Sequence, residues 1–413
     1  MADSASSLDF PFADPANLHD QVFFPRLAQI REQEPVFWSA QQGGWLFTRH
    51  ADVAAGFSDK RLSAHRLHVA QFRAIPEAQR AAEIPNLIRY IPNWIINIDD
   101  EQHQRLRRLV IKAFSRKVVE SLRPSVELAC DQLIANALAK GECDFIEEIG
   151  FPLPASVICN LLGVPQRYMD PLRRWAVDMT SALASAHPSR ELLLNAERSV
   201  KEMNELFFDE FAKRRRNPGN DLLTALVSAQ DEGQSLTDEE LLGLCHVLIV
   251  AGHDTTANSL GLGLVALVRH PEQRQRYLGG AMEGLAAISE LLRYVAMSST
   301  QIRISRAPVE YSGKTIPPGQ VVFLMIAAAN RDPQVFENPN ALQFGRPNIE
   351  SSCTFAPGLH HCLGHFLARM ELDVLYRKLF ARAKVELTRD KLQFTANYAF
   401  RGLESIPMRL QAL

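Results

Sequence analysis

The stretch FAPGLHHCLGHF, Phe355 to Phe366, sets one cysteine among three histidines with a glycine on either side. Three readings of Cys362 are open. It can fill core space, because a free cysteine behaves as a small hydrophobe. It can share a zinc ion with His360, His361 and His365. Adjacent residues such as His361 and Cys362, however, rarely both turn onto one tetrahedral ion, and ligand pairs are usually about two to four residues apart. It can also hold haem iron as a thiolate, which pushes electron density onto the metal and favours O–O cleavage. Gly358 permits a tight loop with positive φ. Cys362 would then stand at the start of a helix from about Leu363, where unpaired N–H groups and the positive dipole end favour a thiolate.

A second constellation, AGHDTT, Ala251 to Thr256, interrupts the apolar segment Leu241 to Val268. Each apolar flank is shorter than the ~18 residues of a spanning helix, so the segment reads as a long helix buried in protein. A carboxylate inside such a helix is costly without a partner, which makes Asp254 a functional candidate. Gly252 allows close approach to the backbone. Thr255 can bond back to the Ala251 carbonyl and open the helix locally. His253 is assigned no chemistry.

The elements that must carry these residues follow from period and punctuation. A helix is expected from about Asn17 to Glu34, then the strands PVFWS and GWLFTR joined across QQGG. From Gln102 to about His270 the pattern is mostly helical, with breaks at GVPQ, AHPS and RRNPGNDL. Thr237 and Glu240 form a capping-box pair ahead of the long apolar helix. After Tyr294 the chain alternates like short strands, with a turn at Pro317 to Gly319. A proline-rich irregular stretch leads to the cysteine loop, a helix runs from about Leu363 to Arg382, and short strands close the chain. The expectation is a mainly α fold with a smaller β part. It is read as one domain over 1–413, helix-rich at about 100–295 and 360–385, with β regions at about 35–50 and 300–325.

Length, composition and charge narrow the class. At 413 residues, length alone suggests two or three domains, but no low-complexity linker divides the chain. A net charge of −2 gives no general attraction to nucleic acid or anionic membrane. Six cysteines without framework spacing fit a reduced, cytoplasmic protein, and the acidic start MADSASSLDFPFADP reads as neither signal peptide nor anchor. No Gly-x-Gly-x-x-Gly opens a helix after a strand, so any reducing equivalents come from other proteins.

Phe355, Gly358, His360, Cys362 and Gly364, followed by LARMEL, resemble the signature of the cytochrome P-450 superfamily of haem-thiolate monooxygenases. Ala356 departs from it, because the family usually has glycine there. The resemblance extends from about Asp99 to RGLESIPMRL and fits the first hundred residues more loosely. It implies the cytochrome P-450 fold, a single triangular prism of the soluble bacterial type, a monomer, with haem b as cofactor and O2 as co-substrate. NAD(P)H would act only indirectly, through a ferredoxin reductase and a ferredoxin.

The resemblance also assigns residues. Cys362 becomes the axial ligand, with Phe355, Gly358, Gly364 and Ala251 against the haem. His103, Arg107, Arg303 and His360 meet its propionates, Arg306 being the lesser alternative to Arg303. Asp254 and Thr255 relay protons during O–O cleavage. Glu290, Arg293 and Arg346 form a structural cluster, although ELLR by itself reads as a surface pair worth ~0.2–0.5 kcal/mol. Arg105, Arg108 and Lys112 read as a solvated basic face, with a use in docking an acidic ferredoxin. Leu87, Ile91, Trp94, Ile95, Leu248, Met297 and Phe400 are pocket candidates, against the equal alternative that the loop residues among them simply pack. Arg89 reads as a solvated arginine or a contact for a substrate carboxylate. The implied reaction is hydroxylation or epoxidation of an apolar secondary metabolite, terpenoid, steroid, polyketide or fatty acyl compound. Peroxygenase, isomerase and oxidative-coupling chemistries are the haem-based rivals. A zinc-stapled helical binding protein is the non-enzymatic one.

Overall fold

A computed structural model describes residues 8–12, 14–65, 72–185, 188–231, 233–280, 284–397 and 399–413. Along the chain the elements used below are α1 (Asp20–Gln33), β1 (Val36–Ser39), β2 (Gly44–Phe47), α2 (His50–Ser58), β3 (Leu62–Ser63), α3 (Asp100–Ala113), α4 (Arg190–Arg216), α5 (Asp238–Arg269), α6 (Gly284–Val295), β4 (Gln301–Ser305), β5 (Val321–Leu324) and α7 (His365–Arg382). The breaks at GVPQ and RRNPGNDL fall between helices, and the one at AHPS lies partly on residues 186–187, outside the described residues.

The chain divides into two compact units. One comprises residues 1–64, 258–362 and 385–408, the other 65–257, 363–384 and 409–413. In the first unit, β1 and β2 form the expected hairpin, with Val36 opposite Phe47 and Ser39 opposite Gly44. β2 runs parallel to β5, while β5–β4 and β4–β3 are antiparallel, giving the strand order β1-β2-β5-β4-β3. Phe47, Val53, Phe57, Leu324 and Cys353 belong to the core on this sheet. Full burial of a side chain such as Phe47 contributes about 1.5–3 kcal/mol. Gly56 brings α2 close to the sheet, because a Cβ there would lie 2.6 Å from Leu324 Cδ2.

The second unit is helical. On α3 the buried positions His103, Leu106, Leu109, Val110 and Ala113 follow the helical period and form one inward stripe. α4 starts at Ser189, whose Oγ accepts the Leu192 N–H at 3.2 Å. Its Glu197 carboxylate accepts the N–H groups of Asn86 (3.1 Å) and Leu87 (2.9 Å) and so caps the short helix Pro85–Tyr90. α5 opens with the capping box read from the sequence. Thr237 N–H donates to Glu240 Oε2 at 2.9 Å, and Glu240 N–H to Thr237 Oγ1 at 3.2 Å. Among the described residues no helix is long and apolar enough to cross a membrane.

Candidate functional site

In the first unit the cysteine loop is built on a chain of buried polar contacts. Glu290 and Arg293, three apart on α6, meet in a two-pronged ion pair at 2.7 and 2.9 Å, and Arg346 joins Glu290 at 3.1 Å. All three side chains are buried, so the local reading of a surface pair is corrected. Two turns of a helix surface look alike in sequence whether or not other chain covers them. Arg293 then donates to the carbonyls of Asn330 (2.8 Å), Pro339 (2.8 Å) and Ala341 (3.0 Å), pinning the irregular proline-rich stretch. Asn330 in turn accepts the Cys353 N–H at 2.7 Å and donates to Thr354 Oγ1 at 2.9 Å. The rigid α6 thus reaches the start of the loop through Asn330.

The loop turns on two left-handed residues, Ala356 (φ +54°) and Gly358 (φ +100°). A Cβ at position 358 would lie 2.7 Å from the Phe57 carbonyl oxygen, so glycine is needed there for space as well as conformation. The Cys362 N–H closes the loop on the Phe355 carbonyl at 2.9 Å. Helix α7 begins at His365 with Gly364 as its N-cap. The cysteine therefore precedes the helix rather than opening it, and its own N–H is already used. His360 lies half-buried two residues earlier.

Cys362 also differs from the other cysteines. Cys130, Cys159, Cys245 and Cys353 are buried, and desolvation pushes every one of their thiols up, Cys159 and Cys353 to about 12. Cys143 is half-buried on a short strand and is likewise raised by burial. Cys362 is half-buried in a glycine-bounded loop beside the half-buried apolar residues Phe355, Ala356 and Leu359. Among the described residues no three His, Cys, Asp or Glu side chains form a metal-holding group.

Elsewhere in this unit Arg303 is buried on β4, opposite Val322, with its guanidinium donating to the Ile302 carbonyl at 2.7 Å and lying 5.6 Å from the Phe57 ring. Arg306 is exposed. Met297 and Phe400, far apart in sequence, come together where Ser298 bridges Phe400 and Arg401 N–H reaches the Met297 carbonyl at 2.7 Å. Both remain partly exposed.

In the second unit α3 buries His103 and leaves Arg107 half-buried, four residues on. Arg108 and Lys112 are exposed. Arg105 departs from the solvated reading, because its guanidinium is paired with Glu240, the capping-box carboxylate of α5. Arg89 is paired with Glu239 at 2.5 Å. Leu87, Ile91, Trp94 and Ile95 are all buried, which favours the packing alternative for this loop, and Ile96 is the exposed one. Trp94 lies edge-on to His246 on α5, and His246 accepts or donates at 2.9 Å with Asn204 of α4. Burial drives the His246 imidazole down to about 3. Nothing in the sequence marked His246, because a histidine in an apolar helix carries no signature of its partners.

Helix α5 is buried on most sides, yet Val247, Leu248, Ala251 and Thr255 are open or half-open. Their spacing places them on one stripe. Thr255 Oγ1 donates back to the Ala251 carbonyl, as expected, and the helix nevertheless stays continuous from Asp238 to Arg269. Asp254 is buried, and its Oδ1 lies 2.9 Å from Nδ1 of His253. That contact was not legible, since neighbouring side chains on a helix diverge by about 100°.

The family model for cytochrome P-450 matches residues 87–278 and 285–400. The chain belongs to the cytochrome P-450 family. This P-450 is 35% identical to the vitamin D(3) 25-hydroxylase of Pseudonocardia autotrophica, over 94% of this chain and 93% of that protein. It is 32% identical to the polyketide-biosynthesis P-450 PksS of Bacillus subtilis, over 94% and 95%. Among solved structures it resembles P450BioI in complex with an acyl carrier protein ligated with hexadec-9Z-enoic acid. There the TM-score is 0.86 and the identity 26%, over 96% of this chain and 99% of that one.

The protein is accordingly an oxygen-incorporating oxidoreductase with the mainly α fold and smaller sheet part of its family. This overturns the non-enzymatic zinc reading. Membership implies haem, and bacterial members use ferredoxin-type redox partners. The residues present fit that cofactor. Among the described residues the first unit offers one accessible thiol, in a loop of half-exposed apolar side chains, with His360 and Arg303 as donor groups. The second offers His103, Arg107 and the half-open stripe of Val247, Leu248, Ala251 and Thr255 on an otherwise buried helix. Each unit by itself thus carries groups of the kinds that an apolar plate bearing two carboxylates takes from a protein.

Proposed function

We propose that the whole chain acts as one catalytic domain, a haem-thiolate monooxygenase of the cytoplasm that places one oxygen atom of O2 into a sizeable apolar substrate. The reading is carried by the Cys362 loop, a half-exposed cysteine tied by its N–H to Phe355 and bounded by Gly358 and Gly364. Bound haem b would supply the oxygen activation and insertion. The sulfur of Cys362 would hold the iron, while His103, Arg107, Arg303 and His360 would pair with the propionates. Phe355, Gly358, Gly364 and Ala251 would pack against the ring.

The remaining residues handle protons and water. Asp254, buried yet hydrogen-bonded, would hold a proton for delivery, and the Thr255 hydroxyl would pass it onward from its anchor on the Ala251 carbonyl. Leu248, Met297 and Phe400 supply partly open apolar surface for substrate and for excluding water. The relatives named above act on vitamin D(3), serve polyketide biosynthesis or bind a fatty acyl carrier protein. Large, apolar compounds of the steroid, terpenoid, polyketide or fatty acyl classes are the substrates these side chains suit. Arg108 and Lys112, exposed on α3, are the residues offered to an acidic ferredoxin.

The test is turnover. Compounds that shift the spin state of the purified protein are incubated with NAD(P)H, ferredoxin and ferredoxin reductase, or with peroxide alone. Hydroxylated or epoxidised product that requires the redox partners supports the reading. Product formed only with peroxide points to a peroxygenase, and a carbon–carbon or carbon–oxygen coupled product points to an oxidative-coupling enzyme.

A further inference from the structure

The proton-delivering carboxylate has a neighbour whose role is unassigned. His253 is buried on α5, and its Nδ1 lies 2.9 Å from Asp254 Oδ1. Its ring stacks on Phe151, with centroids 5.5 Å apart and planes 3° from parallel. The Arg173 guanidinium lies 4.5 Å from the same Phe151 ring and is fixed by two hydrogen bonds to Glu147, at 2.8 and 2.9 Å. Gly252 beside it keeps the helix close to its neighbour, since a Cβ there would come within 3.3 Å of Ile158 Cδ1. The imidazole is therefore held in plane by a stack that is itself anchored.

The hydrogen-bonding roles follow from the partners. A carboxylate oxygen only accepts, so Nδ1 carries the hydrogen. Nε2 is buried and has no hydrogen-bond partner among the described residues. A hydrogen there would be an unsatisfied donor, so Nε2 keeps its lone pair. Neighbouring side chains leave a helix about 100° apart, so the 2.9 Å contact holds the Asp254 carboxylate toward the His253 ring. The contact thus selects one orientation of Asp254 and occupies Oδ1, leaving Oδ2 as the oxygen that exchanges a proton.

We propose that His253 is a positioning residue for proton delivery, fixing through Nδ1–H the rotamer of Asp254 and the identity of its working oxygen. The inference rests on the assignment of Asp254 to the proton relay. It goes beyond it in adding a residue that never touches oxygen or substrate. Each proton leaving Oδ2 is replaced from solvent, so the pair carries no net change through a cycle. Misplacing the carboxylate slows protonation and lets reducing equivalents escape as hydrogen peroxide rather than product.

The test uses the holoenzyme with its redox partners. His253→Phe keeps the ring stack on Phe151 and removes the donor, whereas His253→Asn restores an N–H of similar reach. Expected for His253→Phe is a roughly tenfold fall in product per NAD(P)H with matching peroxide release. Substrate affinity and the carbon-monoxide spectrum should be unchanged, and His253→Asn should recover most of the loss. Independently, protein labelled with 15N-histidine, in its diamagnetic ferrous carbon-monoxide form, should show one Nδ1–H tautomer that shifts or exchanges in Asp254→Asn. Unaltered coupling in His253→Phe, or an Nε2–H tautomer at this histidine, overturns the proposal. A wild type that lacks the thiolate spectrum overturns the parent reading instead, and this one with it. If His253→Phe does not fold, the tautomer measured in wild type decides.

Discussion

The backbone N–H of Cys362 donates to the carbonyl oxygen of Phe355 at 2.9 Å, across a loop that turns on Ala356 and Gly358. The eight residues from Phe355 to Cys362 are thereby closed into one loop before α7 begins. The backbone that carries the sulfur is fixed by these loop hydrogen bonds, with His361 N–H donating to the Gly358 carbonyl at 3.1 Å as well.

That geometry sets opposite expectations for the two left-handed positions. Gly358→Ala combines a disfavoured φ with a 2.7 Å approach to the Phe57 carbonyl. It should cost about 2–4 kcal/mol in a denaturant titration and weaken cofactor retention. Ala356→Gly relieves a non-glycine residue at φ +54° and should stabilise by about 0.5–1 kcal/mol. Equal effects of the two substitutions would show that the loop conformation is not the one described.

The Glu290, Arg293 and Arg346 cluster should behave as a buried network. Glu290→Gln leaves two buried guanidinium groups without their anion and should lose about 3–5 kcal/mol or fail to fold. A loss below about 1 kcal/mol, the range of exposed pairs, would contradict the burial.

Glu371 on α7 gives a pH dependence with a definite sign. Its side chain is buried, and desolvation raises its carboxyl to about 8. The folded state therefore holds its proton over a range where the unfolded chain, titrating at about 4.3, has lost it. Stability from this group is complete below that unfolded value and declines as pH rises towards about 8. Glu371→Gln should flatten this decline in melts taken between roughly pH 5 and pH 8. A wild type and variant with parallel profiles would rule the effect out.

The sequence carried the features whose signal is local. The Thr237 and Glu240 capping box, the QQGG hairpin and the Thr255 back-bond each depend on a few neighbouring residues, and each formed as read. It also carried the cysteine loop, because glycine at 358 records a steric demand directly. Features that depend on what lies opposite were hidden. ELLR gave no sign that Glu290 and Arg293 are buried, and Arg105 gave none of its bond to Glu240. The apolar run containing Leu87, Ile91 and Trp94 reads the same whether it lines a pocket or fills core. His253 and Asp254, adjacent in sequence, meet only through a side-chain rotamer that no pattern of residue types encodes.

The central claim is a bond from the Cys362 sulfur to haem iron, and an absorption spectrum of the dithionite-reduced protein under carbon monoxide tests it most directly. Protein produced with ample haem supply should show the strongly red-shifted Soret band of a thiolate-ligated haem, and Cys362→Ala should lose it. A colourless protein, a band at the position of nitrogen-ligated haem, or a red-shifted band that survives Cys362→Ala would contradict the account.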